Sequence, residues 1–165
     1  MSPTTGGLFL AHSINKLTQF TAYIEVCLVQ LDSAQVWRRA GDSQNSIGNL
    51  MLHLAGNVRQ WICASIGGQP DVRQRDNEFA ESRMETPQLI AHLNAAVRDA
   101  LEILENLPPG RLTDVVVTQD GDRSVLEVIY QVVGHFQQHG GQIIYATKLL
   151  TGSDLKLYTP AAKKA

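Results

Sequence analysis

The sequence of 165 residues has little of several features that mark particular classes of protein. It contains no apolar run of about 18 residues, which a membrane-spanning helix needs, so we expect no membrane span. Its net charge is −2, from 14 Lys and Arg against 16 Asp and Glu, which excludes the strong positive field typical of nucleic-acid binding. The first residues lack the basic region and cleavage site of a signal peptide. We therefore expect a cytoplasmic protein.

Cysteine is also scarce, and the positions of Cys27 and Cys63 fit no zinc or redox spacing. Both lie within apolar stretches, which predicts free, buried thiols and suits a reducing compartment. The sequence shows no glycine-rich phosphate loop and no serine nucleophile elbow. The candidates that remain for chemistry are the five histidines.

Apolar residues at spacings of three and four predict four long helices, over residues 8–38, 47–66, 86–107 and 124–150. Ser46 is a plausible N-cap for the second helix, and Gly67 with Gly68 ends it. Ser124 and Glu127 form a capping box at the start of the fourth helix.

The connections between these helices differ in character. Residues 69–85 form a polar segment that is long for a turn and is typical of a lid or binding loop. Three valines at 115–117, followed by Asp120 and Gly121, predict a small hairpin. We predict an all-α fold, a four-helix bundle with a small extended excursion between helices three and four; a different packing of the same helices is the alternative. The whole chain, 1–165, is expected to be a single domain with its core at 8–151 and a loosely packed tail at 152–165.

The histidines suggest a metal site. His135 and His139 are four residues apart, so both imidazoles lie on one helix face within reach of a single ion. His53 borders the apolar face of the second helix and can supply a third ligand, leaving positions open for water or substrate. The alternative is that the three rings are simply packed in the core, at a cost on the order of 1–3 kcal/mol for each imidazole without a partner. His12 and His92 are expected at the helix surface.

Two segments around these histidines resemble signatures of the DinB-like superfamily. Residues 53–61, His-Leu-Ala-Gly-Asn-Val-Arg-Gln-Trp, are similar to its second-helix signature. Residues 135–143, His-Phe-Gln-Gln-His-Gly-Gly-Gln-Ile, are similar to its fourth-helix signature. The resemblance includes the order of the elements from about residue 8 to residue 151.

The resemblance implies a four-helix bundle of the DinB-like type that is often a homodimer. It implies a divalent metal, such as nickel or zinc, bound by His53, His135 and His139. Characterised relatives include thiol-dependent transferases and a thiol-dependent isomerase that use low-molecular-weight thiols such as bacillithiol or mycothiol. The sub-family with the His-Leu-Ala-Gly-Asn form has no assigned reaction.

Three functions are compatible with these features. The first is a metal-dependent enzyme that transfers a thiol to a small electrophilic substrate, with a metal-dependent hydrolase as a close variant. The second is a non-catalytic stress protein that binds metal or a small ligand. The third is a plain helical dimer with packed histidines.

Other polar residues are candidates for supporting roles. Asn57 follows His53 by one turn and Gln142 follows His139 by three residues, so each can act near the metal or orient a ligand. Glu25 is a candidate base or extra ligand, or else a residue at a helix edge or dimer contact. Arg73 and Arg75 belong to the polar connection and either hold an anionic substrate or are simply solvated.

Overall fold

The computed structural model describes residues 4–41 and 43–157. Helices predominate in these ranges: α1 (Thr5–Leu28), α2 (Ser33–Trp37), α3 (Ile47–Val58), α4 (Arg75–Ala80), α5 (Thr86–Glu105) and α6 (Val125–Thr151). Residues Arg59–Ala64 continue α3 as a π-helical segment, and Pro109–Thr113 form a 3-10 helix. Strands β1 (Val115–Thr118) and β2 (Gly121–Ser124) pair as an antiparallel hairpin. The predicted mostly helical fold with a small extended excursion is confirmed.

Local side-chain hydrogen bonds begin α3 and α6 where the sequence predicts. The Ser46 hydroxyl accepts a hydrogen bond from the Asn49 backbone N–H at 3.1 Å, at the start of α3. Ser124 and Glu127 form the predicted capping box of α6. Gly68 and Gly152 adopt positive φ angles of 71° and 66°, which glycine reaches without steric cost, and each follows the end of a helical segment.

The first helix is shorter than predicted. Residues 8–38 do not form one helix, because α1 ends at Leu28 and α2 begins after Asp32. The Asp32 carboxylate accepts a hydrogen bond from the Gln35 backbone N–H, and the Gln35 side chain accepts one from the Asp32 N–H. This capping box starts a new helix and accounts for the break.

Two segments expected to be irregular have more structure than predicted. The connection over residues 69–85 contains the helix α4. The tail over residues 152–165 is not entirely loose, since Leu155 is 7% exposed and belongs to the core, while residues 158–165 lie outside the described part. Leu155 joins the hydrophobic core and Glu78 contacts His53 of α3, and local sequence patterns do not show such long-range contacts.

The four long helices pack around one hydrophobic core. α1 contacts α5 and α6, and α3 also contacts α5 and α6, so each long helix has two neighbours. Large side chains fully buried between them include Leu17, Met51, Leu93, Ile129 and Phe136. No helix in the described ranges is long and apolar enough to cross a membrane.

The two cysteines lie in this core as free thiols, as predicted. Cys27 is in α1 and Cys63 is in the π-helical segment after α3. Burial raises the pKa of the Cys63 thiol to about 11, so the thiolate is scarce at neutral pH. Neither cysteine is a candidate nucleophile in this state.

Gly140 allows α1 and α6 to approach closely. A Cβ atom at residue 140 would lie 2.7 Å from Cδ1 of the Phe20 ring, well inside van der Waals contact. A Cβ atom at the neighbouring Gly141 would meet nothing within 4 Å. The first glycine of the Gly-Gly pair is therefore a packing requirement, and the second is not.

This difference predicts opposite effects of alanine at the two positions. Gly141→Ala should stabilise the fold by up to about 1 kcal/mol, because alanine has the higher helix propensity. Gly140→Ala gains the same propensity but must displace Phe20, so we expect it to be about 1–3 kcal/mol less stable than Gly141→Ala. Urea denaturation followed by circular dichroism measures both. Equal stability of the two variants would show that the Phe20 contact does not restrict residue 140.

Candidate metal centre

Three histidine nitrogens meet between α3 and α6. Nε2 of His53 lies 3.1 Å from Nε2 of His135, and Nε2 of His139 also lies 3.1 Å from Nε2 of His135. The spacing of four residues places His135 and His139 on one face of α6, and the packing of α3 on α6 brings in His53. In the described residues these three form a group of ligands close enough for one ion.

The separations fit a shared metal ion. Nitrogen ligands about 2.1 Å from a cation stand about 3.0 Å apart at a right angle and about 3.4 Å apart at the tetrahedral angle. The two separations of 3.1 Å from His135 lie between these values, and the three ligand atoms all lie within 4.8 Å of one another. The three rings can therefore hold a single divalent ion.

The second nitrogen of His53 faces a buried carboxylate. Its Nδ1 lies 2.9 Å from Oε2 of Glu78, which α4 supplies. Arg73 donates to the same carboxylate through Nε at 2.7 Å and through Nη2 at 2.8 Å. Arg73 Nη2 also lies 3.1 Å from His53 Nδ1, but an ionised carboxylate only accepts, so the proton on Nδ1 satisfies the shorter contact. The lone pair of His53 Nε2 then points at Nε2 of His135.

Glu78 remains ionised although it is only 8% exposed. Burial raises the pKa of this carboxyl, but hydrogen bonds from Arg73 and His53 outweigh burial and hold the pKa below its ordinary value. The Arg73 side chain is itself only 5% exposed, and its Nη1 donates to Oε1 of Gln60 at 2.8 Å. The charges of Arg73 and Glu78 therefore compensate each other on the Nδ1 side of the His53 ring.

His139 is oriented by a neutral acceptor. Its Nδ1 lies 2.6 Å from Oε1 of Gln142, one turn along α6. An amide oxygen only accepts, so Nδ1 carries the proton and Nε2 presents its lone pair. The Gln142 amide therefore contacts Nδ1 of His139 and not the Nε2 atoms that would bind the ion.

Without a cation, the hydrogen-bonding groups of His135 and its two histidine neighbours cannot all be satisfied. Nδ1 of His135 is buried and has no hydrogen-bond partner in the described part of the chain. Burial and the neighbouring charges of His139, His53 and Arg73 lower the pKa of His135 to about 4, so the ring is neutral at pH 7. Burial also lowers the pKa of His139. A neutral His135 has one proton and can donate to only one of its two partners, which leaves two lone pairs facing each other at 3.1 Å.

A cation removes the conflict between the facing lone pairs, because it takes all three Nε2 lone pairs at once. His135 then carries its proton on Nδ1, which, unlike Nδ1 of His53 and His139, has no acceptor in the described part of the chain. The donor set of three neutral imidazoles suits zinc, nickel and related divalent ions. The residues present therefore fit the metal that the histidine motifs imply.

The helix α4 is held on α3 by a buried asparagine. Asn49 Nδ2 donates to the backbone carbonyls of Glu78 and Glu81, both at 2.9 Å. Arg39 Nη2 donates to Asn49 Oδ1 at 2.8 Å and to the carbonyl of Phe79 at 2.7 Å. These bonds fix the backbone from which the Glu78 side chain reaches His53.

Gly56 makes room for the Glu78 carboxylate. A Cβ atom at residue 56 would lie 2.0 Å from Glu78 Oε1 and 3.0 Å from Arg73 Nε. The glycine of the His-Leu-Ala-Gly-Asn segment is therefore needed for Glu78 and Arg73 to pack beside His53. Its role was not evident from the sequence, because the carboxylate it accommodates lies 22 residues further along the chain.

The sequence did not predict Glu78 as the hydrogen-bond partner of His53. Glu78 lies 25 residues from His53, within a run of charged residues that looks like an ordinary solvated segment. The signal that could have found it is the single large apolar residue beside it, Phe79, which marks a short helix with one buried face.

The remaining predicted residues have different surroundings. Asn57 is 8% exposed, and its Oδ1 is buried without a hydrogen-bond partner in the described ranges. Glu25 is not among the ligand group and accepts a short hydrogen bond from Asn94, in a groove between α1 and α5. His12 is exposed on α1.

The chain is similar to proteins whose function is unknown. A sequence family described as "Protein of unknown function (DUF1572)" matches residues 4–163. No curated protein matches the sequence significantly. A solved structure described as the conserved protein of locus from Enterococcus faecalis has a TM-score of 0.72 and 19% identity, over 93% of this chain and 100% of that chain. At this identity the likeness shows a shared fold and says nothing of function.

The contact at Gly56 gives a test of the outer partners of the site. Gly56→Ala should displace the Glu78 carboxylate from His53 and weaken Zn²⁺ binding by about 10–100-fold. Alanine has a higher helix propensity than glycine, so the weaker Zn²⁺ binding is not expected to come from unfolding of α3. Competition with a chromophoric chelator measures the affinity.

A matched control is Gly134→Ala in α6, where an added Cβ meets nothing within 4 Å. This variant should bind Zn²⁺ as the wild type does. Thermal unfolding of both variants checks that they are folded. Wild-type affinity in a folded Gly56→Ala variant would contradict the assigned role of Glu78.

Proposed function

The chain belongs to the DUF1572 family of proteins of unknown function, and we propose that it is a metal-dependent enzyme in which His53, His135 and His139 bind one divalent ion. The observation that carries the proposal is the set of Nε2 separations of 3.1 Å around His135. The protons on the outer nitrogens of His53 and His139 direct their lone pairs at the same point.

We further propose that the fold is a four-helix bundle of the DinB-like type. Support comes from the packing, in which α1 and α3 each contact both α5 and α6. Support also comes from the two histidine segments that resemble the DinB-like signatures, which lie on α3 and α6. The hairpin β1–β2 then connects two of the four helices.

The reaction we propose is transfer of a low-molecular-weight thiol to a small electrophile. A divalent ion held by three neutral imidazoles supplies Lewis acidity and stabilises a nearby anion such as a thiolate. The new bond joins the thiol sulfur to the electrophilic carbon, the leaving group departs with its electron pair, and the thiol proton passes to solvent. The thiol, rather than water, is favoured by the resemblance of the histidine segments to thiol-dependent enzymes.

The residues of the chain have separate tasks in this proposal. Glu78 and Gln142 accept the outer protons of His53 and His139, so both rings keep the tautomer that binds a cation. Arg73 holds Glu78 in its ionised form. Asn57 follows His53 by one turn of α3 and is proposed to act near the metal; its buried amide oxygen has no hydrogen-bond partner in the described ranges.

The first test is metal content. Purified protein loaded with Ni²⁺ or Zn²⁺ and then desalted should retain about one ion per chain, measured by mass spectrometry of the metal. His135→Ala should retain almost none, because the two remaining rings leave a weak site. His12→Ala is the matched control, since His12 is an exposed histidine on α1. Equal metal content in His135→Ala and the wild type would disprove the three-histidine site.

The second test is thiol transfer. The metal-loaded protein should accelerate conjugation of a low-molecular-weight thiol to monochlorobimane, followed by fluorescence. His135→Ala and chelation should both reduce the rate to the uncatalysed value, because the ion is lost. Ester hydrolysis without a thiol would instead indicate the hydrolase, and metal binding without turnover of either kind would indicate a binding protein. The homodimer and the cytoplasmic location stay predictions.

A further inference from the structure

The two arginines of the connection between α3 and α5 have different surroundings. Arg73 is buried, and its guanidinium is used by Glu78 and Gln60. Arg75 is exposed on α4 and has neither an ion pair nor a hydrogen-bond acceptor in the described ranges. Only Arg75 therefore has its N–H groups available to a ligand.

Arg75 stands beside the metal centre. Its Cζ atom lies 5.1 Å from the centroid of the Phe79 ring, one turn further along α4. The Phe79 ring in turn lies 5.1 Å from the His53 ring.

The charges around the three histidines leave this side of the site positive. The Glu78 carboxylate is matched by Arg73, and the three imidazoles are neutral when they bind an ion. Arg75 is exposed on α4 and has no ion-pair partner in the described ranges, so its positive charge is unmatched there. A divalent ion adds further positive charge, so the centre favours an anion.

The cation–π contact of Arg75 with Phe79 suits Arg75 to bind a carboxylate. A guanidinium lying over an aromatic ring can keep an edge of N–H donors free, and this edge matches the two oxygens of a carboxylate. The contact also restricts the side chain before the ligand arrives, which reduces the entropy lost on binding. A phosphate would need further donors, and the neighbouring Arg73 is already used.

We infer that Arg75 determines which thiol the site accepts by binding a carboxylate group of that thiol. Such a ligand would place its sulfur at the ion held by the three histidines and its carboxylate at the Arg75 guanidinium. This inference rests on the proposed metal site and names the chemical class of molecule that the site accepts.

The test compares two thiols of the same size on Co²⁺-loaded protein. 3-Mercaptopropionate carries the carboxylate, and 3-mercaptopropionamide is its uncharged counterpart. Binding of each is followed by the near-ultraviolet absorption of the cobalt–sulfur bond, which needs no catalytic turnover. The wild type should bind the carboxylate about tenfold or more tightly than the amide, as expected for a charge-assisted hydrogen bond.

The variants decide whether Arg75 causes this preference. Arg75→Ala should bind both thiols equally, while Arg75→Lys should keep part of the preference through its charge. Arg98→Ala is the matched control, since the Arg98 side chain on α5 is 75% exposed and lies in the groove between α1 and α5. This control should keep the full preference.

The failure of the inference is distinguishable from the failure of the metal site. An unchanged preference in Arg75→Ala with normal Co²⁺ binding would overturn the role of Arg75 and leave the metal site intact. Equal binding of the two thiols by the wild type would do the same. Loss of Co²⁺ binding in the wild type itself would overturn the metal site and the inference with it.

Discussion

The candidate metal centre depends on the contact between His53 Nδ1 and the buried Glu78 carboxylate, 2.9 Å apart. The contact decides which nitrogen of His53 carries the proton, and so which one offers a lone pair to the other histidines. A lone carboxylate at this depth would favour its protonated form, and the double hydrogen bond from Arg73 prevents this. The chain Arg73–Glu78–His53 is therefore an electrostatic unit in which each member requires the next.

The backbone is arranged to hold that unit in place. Asn49, fully buried near the start of α3, donates to two carbonyl groups on or next to α4 and fixes this short helix on the surface of α3. Gly56 leaves the space that the Glu78 carboxylate fills. A helix as short as α4 has little stability of its own, so these tertiary contacts are what keeps it folded.

The hydrogen bonds and charges around the three imidazoles favour a cation between the rings and an anionic ligand next to that cation. Nδ1 of His53 and Nδ1 of His139 each contact an acceptor from the protein, so their Nε2 lone pairs are left to bind a cation. The negative charge of Glu78 is used up by Arg73 on the far side of His53. A divalent ion held by three neutral imidazoles would keep its positive charge, and the role proposed for Arg75 is to add a second positive group for an anionic ligand.

The sequence by itself determined the features that local contacts control. Caps such as Ser46 and Ser124, the stop at Gly152 and the hairpin at Gly121 are set by hydrogen bonds and backbone angles within a few residues. The pairing of His135 with His139 follows from helical spacing alone. His53, 82 residues away from His135, is a candidate third ligand from the sequence, but only the tertiary structure brings it to the other two and places Glu78 of α4 at its Nδ1. These partners come from separate helices, and which helices meet is settled by the packing of the whole core rather than by any short run of residues.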